Sequence, residues 1–501
     1  MFVKNNPKQA FNFPILIIIS AVPIFGLAIW FIADPVRATR LDRYILYHVD
    51  ELLRYGYIKM SFYNPWVFLN PYAKLGYVAV NSLFLHTLFL GISSLRIVSS
   101  LFSLGVLFLI YKITHKIKLS DTSSSLALLL TLTFSVYFLA SISALVEIMF
   151  CFFLIYAVYL LYCKRYFLST LMVSLLPLIR QEGVVFILIW LLLLPRKLKI
   201  KYGLFLLLPF LIWSLLNKVL LGHPFFYTFF CNLPDQAPPN CVASLFQFFH
   251  IAGVLCIHPI FITCFIGLIV SYRKAEYRYL SIPFISYVTV IIVANILHLI
   301  DAKAFSREIR FLVPVIPFMA IYGASAFEYL LNGRKILKKY FLLFSVAMLP
   351  FIAIYQIGQL QRDLTVIGDS LNQDKEVLTK KVGYWLNDYM KTNKIKNIYV
   401  PGDLIPDKII RRLWIYLQGS IDYYAIIGPM ESYKPKGFQP LDMATYTIVP
   451  SVKGMRGVFI TKKQYDKNEN ILGEVDCVSL RTEASLPLFI YFIRSPDKLL
   501  N

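Results

Sequence analysis

The strongest constraint on this sequence is its succession of long apolar stretches, each near the roughly 20 residues that a helix needs to span a hydrocarbon layer. They fall near residues 14–33, 76–91, 95–112, 125–142, 144–163, 166–179, 183–195, 202–221, 247–271, 279–300, 309–331 and 340–358. With 58% of its 501 residues hydrophobic, the chain lies outside the range of water-soluble domains. The pattern predicts an α-helical polytopic membrane protein. The stretch 14–33, preceded by Lys4 and Lys8, is longer than a signal-peptide core and reads as a retained first helix.

A formal charge of +22 invites comparison with nucleic-acid-binding proteins. The distribution excludes that class, because the basic residues punctuate apolar stretches and form no patch. Lys112, Lys116 and Lys118 fill one connection, Lys164 and Arg165 another. Arg196, Lys197, Lys199 and Lys201 form a third cluster, followed by Arg273, Lys274 and Arg278 and then Arg334, Lys335, Lys338 and Lys339. These clusters share one side of the membrane with Lys4 and Lys8 if 76–91 does not cross it. The positive-inside rule makes that side the cytoplasm. Residues 76–91 are accordingly expected as an interfacial or re-entrant helix, within a total of about eleven to thirteen helices.

The other face then holds the loop 34–75, the turn at Arg180 to Gly183, the loop 222–246, Asp301 to Arg310, and everything after residue 359. The tail 360–501 reads as a small soluble α/β domain beyond a 1–359 membrane domain. Its helical patterns fall at 374–391 and 405–418, and its strand patterns at 397–400, 421–427, 444–450 and 457–461. Of the seven cysteines, Cys163, Cys256 and Cys264 read as packing residues. Cys231 and Cys241 share one loop, as a disulfide if it is extracytoplasmic or as two free thiols. His223 reads as structural.

The residues able to do chemistry gather on that same face. In the first loop, Asp42, Asp50 and Glu51 accompany Arg43 and Arg54 along an amphipathic pattern. They are either functional acids at the bilayer boundary or solvated partners of those arginines. Lys74 opens the apolar stretch 76–91 and either snorkels to headgroups or binds a lipid-linked phosphate. Glu147 sits inside an apolar stretch and needs a partner or a cavity. Arg180 is its expected partner, and Arg180 could equally pair with Glu182 in its own turn. Arg307 and Arg310 stand at the outer end of a helix, against the positive-inside bias, which suits an anionic ligand.

In order, these features resemble the GT-C superfamily of membrane glycosyltransferases, over roughly residues 14–355. The segment Asp42-Arg43-Tyr44-Ile45-Leu46-Tyr47-His48 looks like the acidic element of that family's first outer loop. Asn70-Pro71-Tyr72-Ala73-Lys74-Leu75 and Leu95-Arg96-Ile97-Val98-Ser99-Ser100 are similar to the segments that follow it. Glu147 with Arg180-Gln181-Glu182-Gly183 resembles the Thr-Arg-Pro-Glu-Gly turn of one bacterial branch, and the resemblance as a whole is to members of the protein mannosyltransferase and aminoarabinose transferase kind. Gly222-His223-Pro224-Phe225 and Arg310-Phe311-Leu312-Val313-Pro314 also have counterparts. A second acid does not directly follow the first here, which leaves Asp42, Asp50 and Glu51 in competition.

The resemblance implies transfer of a sugar, with inversion, from a polyprenyl-phosphate donor to an acceptor hydroxyl outside the cytoplasm. Asp42 is then the expected base. Lys74, Arg180, Arg307 and Arg310 are expected to bind the donor phosphate, with Asp50, Glu51, Glu147 and Glu182 as supporting or alternative acids. No cofactor is required, although the loop acids could hold a divalent metal. The expected partners are the lipid-linked donor, a lipid, glycan or protein acceptor, and the bilayer of a cell membrane. A transporter or flippase of lipid-linked sugars, and a surface-polysaccharide polymerase or ligase, are the competing classes. The absence of internal repeats weighs against a transporter.

Overall fold

The computed structural model describes residues 74–88, 92–180, 182–221, 259–272, 274–296, 309–332 and 373–401. It also describes the strand residues 422–426, 447–449, 457–461, 480–481 and 489–493, and positions 58, 61, 334, 336, 337 and 340. Asp42, Asp50, Glu51, Arg307, Cys231, Cys241, Cys256, His223, the expected helices at 14–33 and 405–418, and the one at 340–358 beyond Tyr340 lie outside the described residues. The chain divides into two compact units. One comprises Met1–Tyr44 and Leu83–Ile367, and the other Ile45–Ser82 and Gly368–Asn501.

The first unit is helical. Helix α1 (Leu75–Leu88) enters it, followed by α2 (Ile92–Lys116), α3 (Asp121–Leu132), α4 (Ser135–Ile142), α5 (Val146–Tyr162), α6 (Tyr166–Ser174) and α7 (Leu176–Ile179). Then come α8 (Gly183–Leu193), α9 (Lys199–Leu221), α10 (Pro259–Ser271), α11 (Arg278–Ile296) and α12 (Ile316–Leu330). The stretch expected as one helix over 125–142 is two. At the break, the Thr133 N–H and hydroxyl both bond the Leu129 carbonyl, at 2.8 Å each, and Phe134 turns extended. Side-chain back-bonding of this kind competes with helix propagation.

Among the described residues, Ser94–Lys116, Arg196–Leu216 and Leu312–Leu330 are long and apolar enough to cross a membrane. Shorter apolar helices include Val146–Tyr162, Gly183–Leu193 and Leu75–Phe84. At a rise of about 1.5 Å per residue the last falls well short of the roughly 30 Å hydrocarbon thickness.

Helix α12 is buried almost throughout and α5 buries most of its length, whereas α9 leaves Leu204, Leu208, Leu211 and Leu215 exposed. Apolar exposure of this kind suits contact with lipid. Helices α10 and α12 approach so closely that a Cβ at Gly267 would overlap the Tyr322 carbonyl. A Cβ at Gly323 would lie 2.7 Å from Thr263 Oγ1. Thr263, Gly267 and Ser271 recur four residues apart, the small-residue spacing that brings membrane helices together.

One end of this bundle is cross-tied. Lys118 Nζ donates to Glu276 at 2.7 Å, and the Tyr162 hydroxyl donates to the Glu276 carbonyl at 2.6 Å. Glu328, in the last turn of α12, accepts from the Ser120 and Ser123 hydroxyls at the start of α3. Helices α2 and α5 end here in the same motif. Lys118 and Lys164 take φ of 64° and 57°, while Leu119 N–H and Arg165 N–H reach back five residues to the carbonyls of Thr114 and Leu160, at 2.9 Å each. Left-handed caps of this form usually carry glycine; lysine here complements the negative helix end.

The second unit contains α13 (Gln373–Thr392) and six strands, β1 (Asn397–Pro401), β2 (Asp422–Ile426), β3 (Thr447–Val449), β4 (Gly457–Thr461), β5 (Leu480–Arg481) and β6 (Phe489–Ile493). Their order is β3-β2-β1-β4-β6-β5. Strands β1 to β4 run parallel, and β6 pairs antiparallel with both β4 and β5. Helix α13 buries Leu386 and Met390, and Ile398 of β1 is fully enclosed. Strands β5 and β6 were not anticipated from the sequence. In the same unit, α1 buries Tyr77, Val78 and Asn81.

Candidate functional site

The end of the bundle away from the cross-ties carries a buried charge cluster on three elements. Helix α5 begins after the extended residue Leu145, which sets Glu147 in its first turn. Pro177 starts α7, and Arg180 leaves it in an extended conformation, its N–H bonded to the Leu176 carbonyl at 2.9 Å. The Gly183 N–H closes the turn on the Arg180 carbonyl at 2.9 Å. Position 183 must be glycine, because a Cβ there would overlap the backbone of Leu176 and Pro177. Glu182 becomes the residue preceding α8, at the positive end of that helix.

The three side chains meet. Arg180 Nη1 donates to Glu147 Oε1 at 2.5 Å. Its Nε and Nη2 donate to the two oxygens of Glu182, at 3.2 and 2.8 Å, a bidentate fork. The Arg180 and Glu147 side chains are 6% and 2% exposed, and that of Glu182 is 23% exposed. Burial alone lowers the guanidinium pKa, but Glu182 and Glu147 outweigh it and hold Arg180 above the usual arginine range. Tyr287 of α11 is buried beside the cluster. Its ring stacks on Phe186 at 5.7 Å, and both rings approach Phe150, at 6.3 and 5.9 Å.

Both pairings expected of Arg180 therefore occur at once. Arg310 lies in a short 3₁₀ helix, Ile309–Val315, which packs against α4, α5 and α11. Lys74 belongs to the other unit. Its backbone has φ of 58°, and its carbonyl accepts the N–H groups of Tyr77 and Val78 at 2.9 and 3.0 Å, starting α1. Unlike Lys118 and Lys164, it takes the left-handed conformation at a helix beginning. No group of metal-binding side chains occurs among the described residues.

Tyr287 was not among the expected site residues, and Arg96 was expected only as part of a segment similar to the family. Tyr287 lies in an ordinary apolar run and gave no signal. Arg96 did give one, as a charge inside an apolar helix, and it is buried on α2. Its helical spacing matches Ser100 and Ser103, which tie α2 to α4 through Ser100 Oγ to the Ser141 carbonyl at 3.0 Å and Ser103 Oγ to Ser141 Oγ at 2.9 Å.

This architecture is that of a polytopic helical membrane protein. The fold matches ArnT from Cupriavidus metallidurans in the apo state, with a TM-score of 0.58 at 12% identity, over 96% of this chain and 98% of that one. It likewise matches ArnT from Cupriavidus metallidurans bound to undecaprenyl phosphate, with a TM-score of 0.55 at 13% identity, over 90% and 93%. No protein-family model and no curated protein matches the sequence. At the level of fold, the GT-C resemblance drawn from the sequence is borne out.

Proposed function

We propose that this protein is an integral membrane glycosyltransferase that moves a sugar from a polyprenyl-phosphate donor to an acceptor hydroxyl on the non-cytoplasmic face. The observation that carries this reading is the near full-length likeness to ArnT, one of whose structures holds undecaprenyl phosphate. In this scheme the acceptor oxygen attacks the anomeric carbon from the face opposite the phosphate, so the configuration inverts. The bond from that carbon to the phosphate oxygen breaks, and its electron pair leaves with the lipid phosphate. Asp42 takes the acceptor proton, with Asp50 and Glu51 as alternatives. Cations at the phosphate oxygens stabilise the charge that develops there. Lys74, Arg307, Arg310 and Arg180 are the candidates, and Arg180 is the weakest because two carboxylates already hold it.

On this reading residues 1–359 form the membrane domain with a cytoplasmic N-terminus, and 360–501 form a soluble extracytoplasmic domain. The cross-tied end, rich in lysine and arginine, faces the cytoplasm. Its ties, from the end of α2 and from α5 to Glu276 before α11, and from the start of α3 to α12, favour an enzyme working from the opposite face over an alternating-access transporter.

Replacing Asp42 by Asn tests the scheme. Release of sugar from polyprenyl-phosphate donors should fall by about 10²–10⁴-fold, the usual contribution of a general base. Full retained activity would remove Asp42 and move the base to Asp50 or Glu51.

A further inference from the structure

The cross-tied end of the bundle also carries cations that no acid of the protein neutralises. Lys164 and Arg165 form the connection into α6, and Arg196, Lys197, Lys199 and Lys201 lead into the first turn of α9. Phe167 of α6 meets Tyr202 and Phe205 of α9, with ring centres 6.0 and 5.8 Å apart, so the two connections adjoin. All of these cations except Lys199 are exposed.

Other cations at this end have acids. Lys118 pairs with Glu276 at 2.7 Å, and His115 with Asp121 at 2.9 Å. Among the described residues, none of the cations beside α6 and α9 forms an ion pair. The sequence explains why. Between Glu147 and Glu276 it holds only Glu182 and Asp235 as acids. Glu182 is held by Arg180 at the opposite end, and Asp235 falls in a loop expected on that same opposite face. Cations at the beginning of a helix also oppose its dipole, so α9 begins with charges that its own backbone disfavours.

Beyond the charges the surface is apolar. Leu206, Phe210 and Trp213 of α9 are buried, while Leu204, Leu208, Leu211 and Leu215 form an exposed stripe along another face. That stripe runs about 16 Å along the helix axis, close to half of the roughly 30 Å hydrocarbon core and therefore to the depth of one leaflet. Tyr202 marks the boundary between charge and stripe, with Lys201 Nζ 5.7 Å from its ring centre. Aromatic rings concentrate at that level of a membrane.

A molecule that meets both parts of this surface carries an anionic head and an acyl chain. We propose that the connections into α6 and α9 form a binding surface for an anionic phospholipid of the adjacent leaflet. Its phosphate contacts cations of both connections, and its acyl chain lies along the α9 stripe. The lipid thereby fastens α9, little of which is buried, to α6. The surface shares no residue with the cluster around Arg180, and the proposal does not rest on the glycosyltransferase reading. A diffuse positive field would treat every basic cluster at this end alike, whereas a site would not.

The test uses the full chain in dodecyl maltoside, with binding of phosphatidylglycerol and phosphatidylcholine of matched chain length measured by native mass spectrometry. Wild type is compared with three triple variants. Lys197→Gln, Lys199→Gln and Lys201→Gln together remove charge from the surface, and the same positions changed to Arg keep it. Lys112→Gln, Lys116→Gln and Arg334→Gln together remove as much charge from other clusters at the same end. A cation beside an anionic headgroup contributes about fivefold in affinity. Wild type should therefore bind phosphatidylglycerol about tenfold or more tightly than phosphatidylcholine. The glutamine triple at the surface should lose about tenfold or more for phosphatidylglycerol and nothing for phosphatidylcholine. The arginine triple and the distant triple should stay within about twofold of wild type. Equal binding of the two lipids by wild type would overturn the proposal. So would equal losses in the two glutamine triples, which would mark a diffuse field. Should the glutamine triple at the surface not fold, loss of the lipid preference in the distant triple would still overturn it. Displacement of phosphatidylglycerol from wild type by undecaprenyl phosphate would give the surface to that lipid and overturn it as well.

Discussion

At the residue scale, the buried cluster converts a charge pattern into an order of stabilities. Replacing Arg180 by Gln leaves two acids, one fully buried, without their common cation. Replacing Glu147 by Gln leaves Arg180 still forked by Glu182, and replacing Glu182 by Gln removes the most exposed member. Loss of one partner from a buried pair costs about 3–5 kcal/mol. Arg180→Gln should reach that range, Glu147→Gln should fall below it, and Glu182→Gln should cost least. Thermal unfolding of the purified variants in one detergent checks the order, and a Glu147 variant less stable than the Arg180 variant would contradict it. Much of this cluster was legible in the sequence, because an ionisable residue in an apolar run needs a partner. Tyr287 was not legible, since a tyrosine among aliphatic residues looks like any packing residue. Only the meeting of α5, α8 and α11 brings it to Arg180.

At the element scale, hydropathy locates helices but is blind to how they end and how closely they pass. The division of 125–142 falls where Thr133 caps one helix and Phe134 turns extended, which leaves the apolar content unchanged. The contact of α10 with α12 turns on Gly267, whose neighbours in sequence do not reveal that Tyr322 lies against it. Gly267→Ala should lower the unfolding temperature, because backbone must move and overpacking costs about 1–3 kcal/mol. Gly203→Ala in α9 is the matched control. Its Cβ would meet only the end of the Leu191 side chain, at 3.3 Å, and alanine favours a helix interior by up to about 1 kcal/mol. That variant should be neutral or more stable. The pair is read in one unfolding assay, and equal losses in both would mean that the approach of α10 to α12 contributes nothing.

At the scale of the whole molecule, the sequence suggests a boundary near residue 359, where the apolar stretches stop. Composition can mark such a change, yet it cannot show which distant segments fold together. The unit that holds the C-terminal sheet also takes in Ile45–Ser82, a segment that includes Asp50, Glu51 and Lys74. Segments of one compact unit tend to open together in hydrogen exchange. The first turns of α1, with Tyr77 and Val78 buried, should therefore share their stability with the sheet and not with Ser94–Lys116. Ile398→Asp puts a charge at a fully enclosed position of β1, and an unpaired buried charge is costly enough to open the sheet. In the full-length variant, residues 75–82 should lose amide protection along with β1 and β4, while Ser94–Lys116 keeps its own. Retention of protection at 75–82 after the sheet has opened would tie α1 to the helical bundle instead. In that case Lys74 would owe its placement to the membrane helices alone, and damage to the C-terminal sheet should leave donor binding intact.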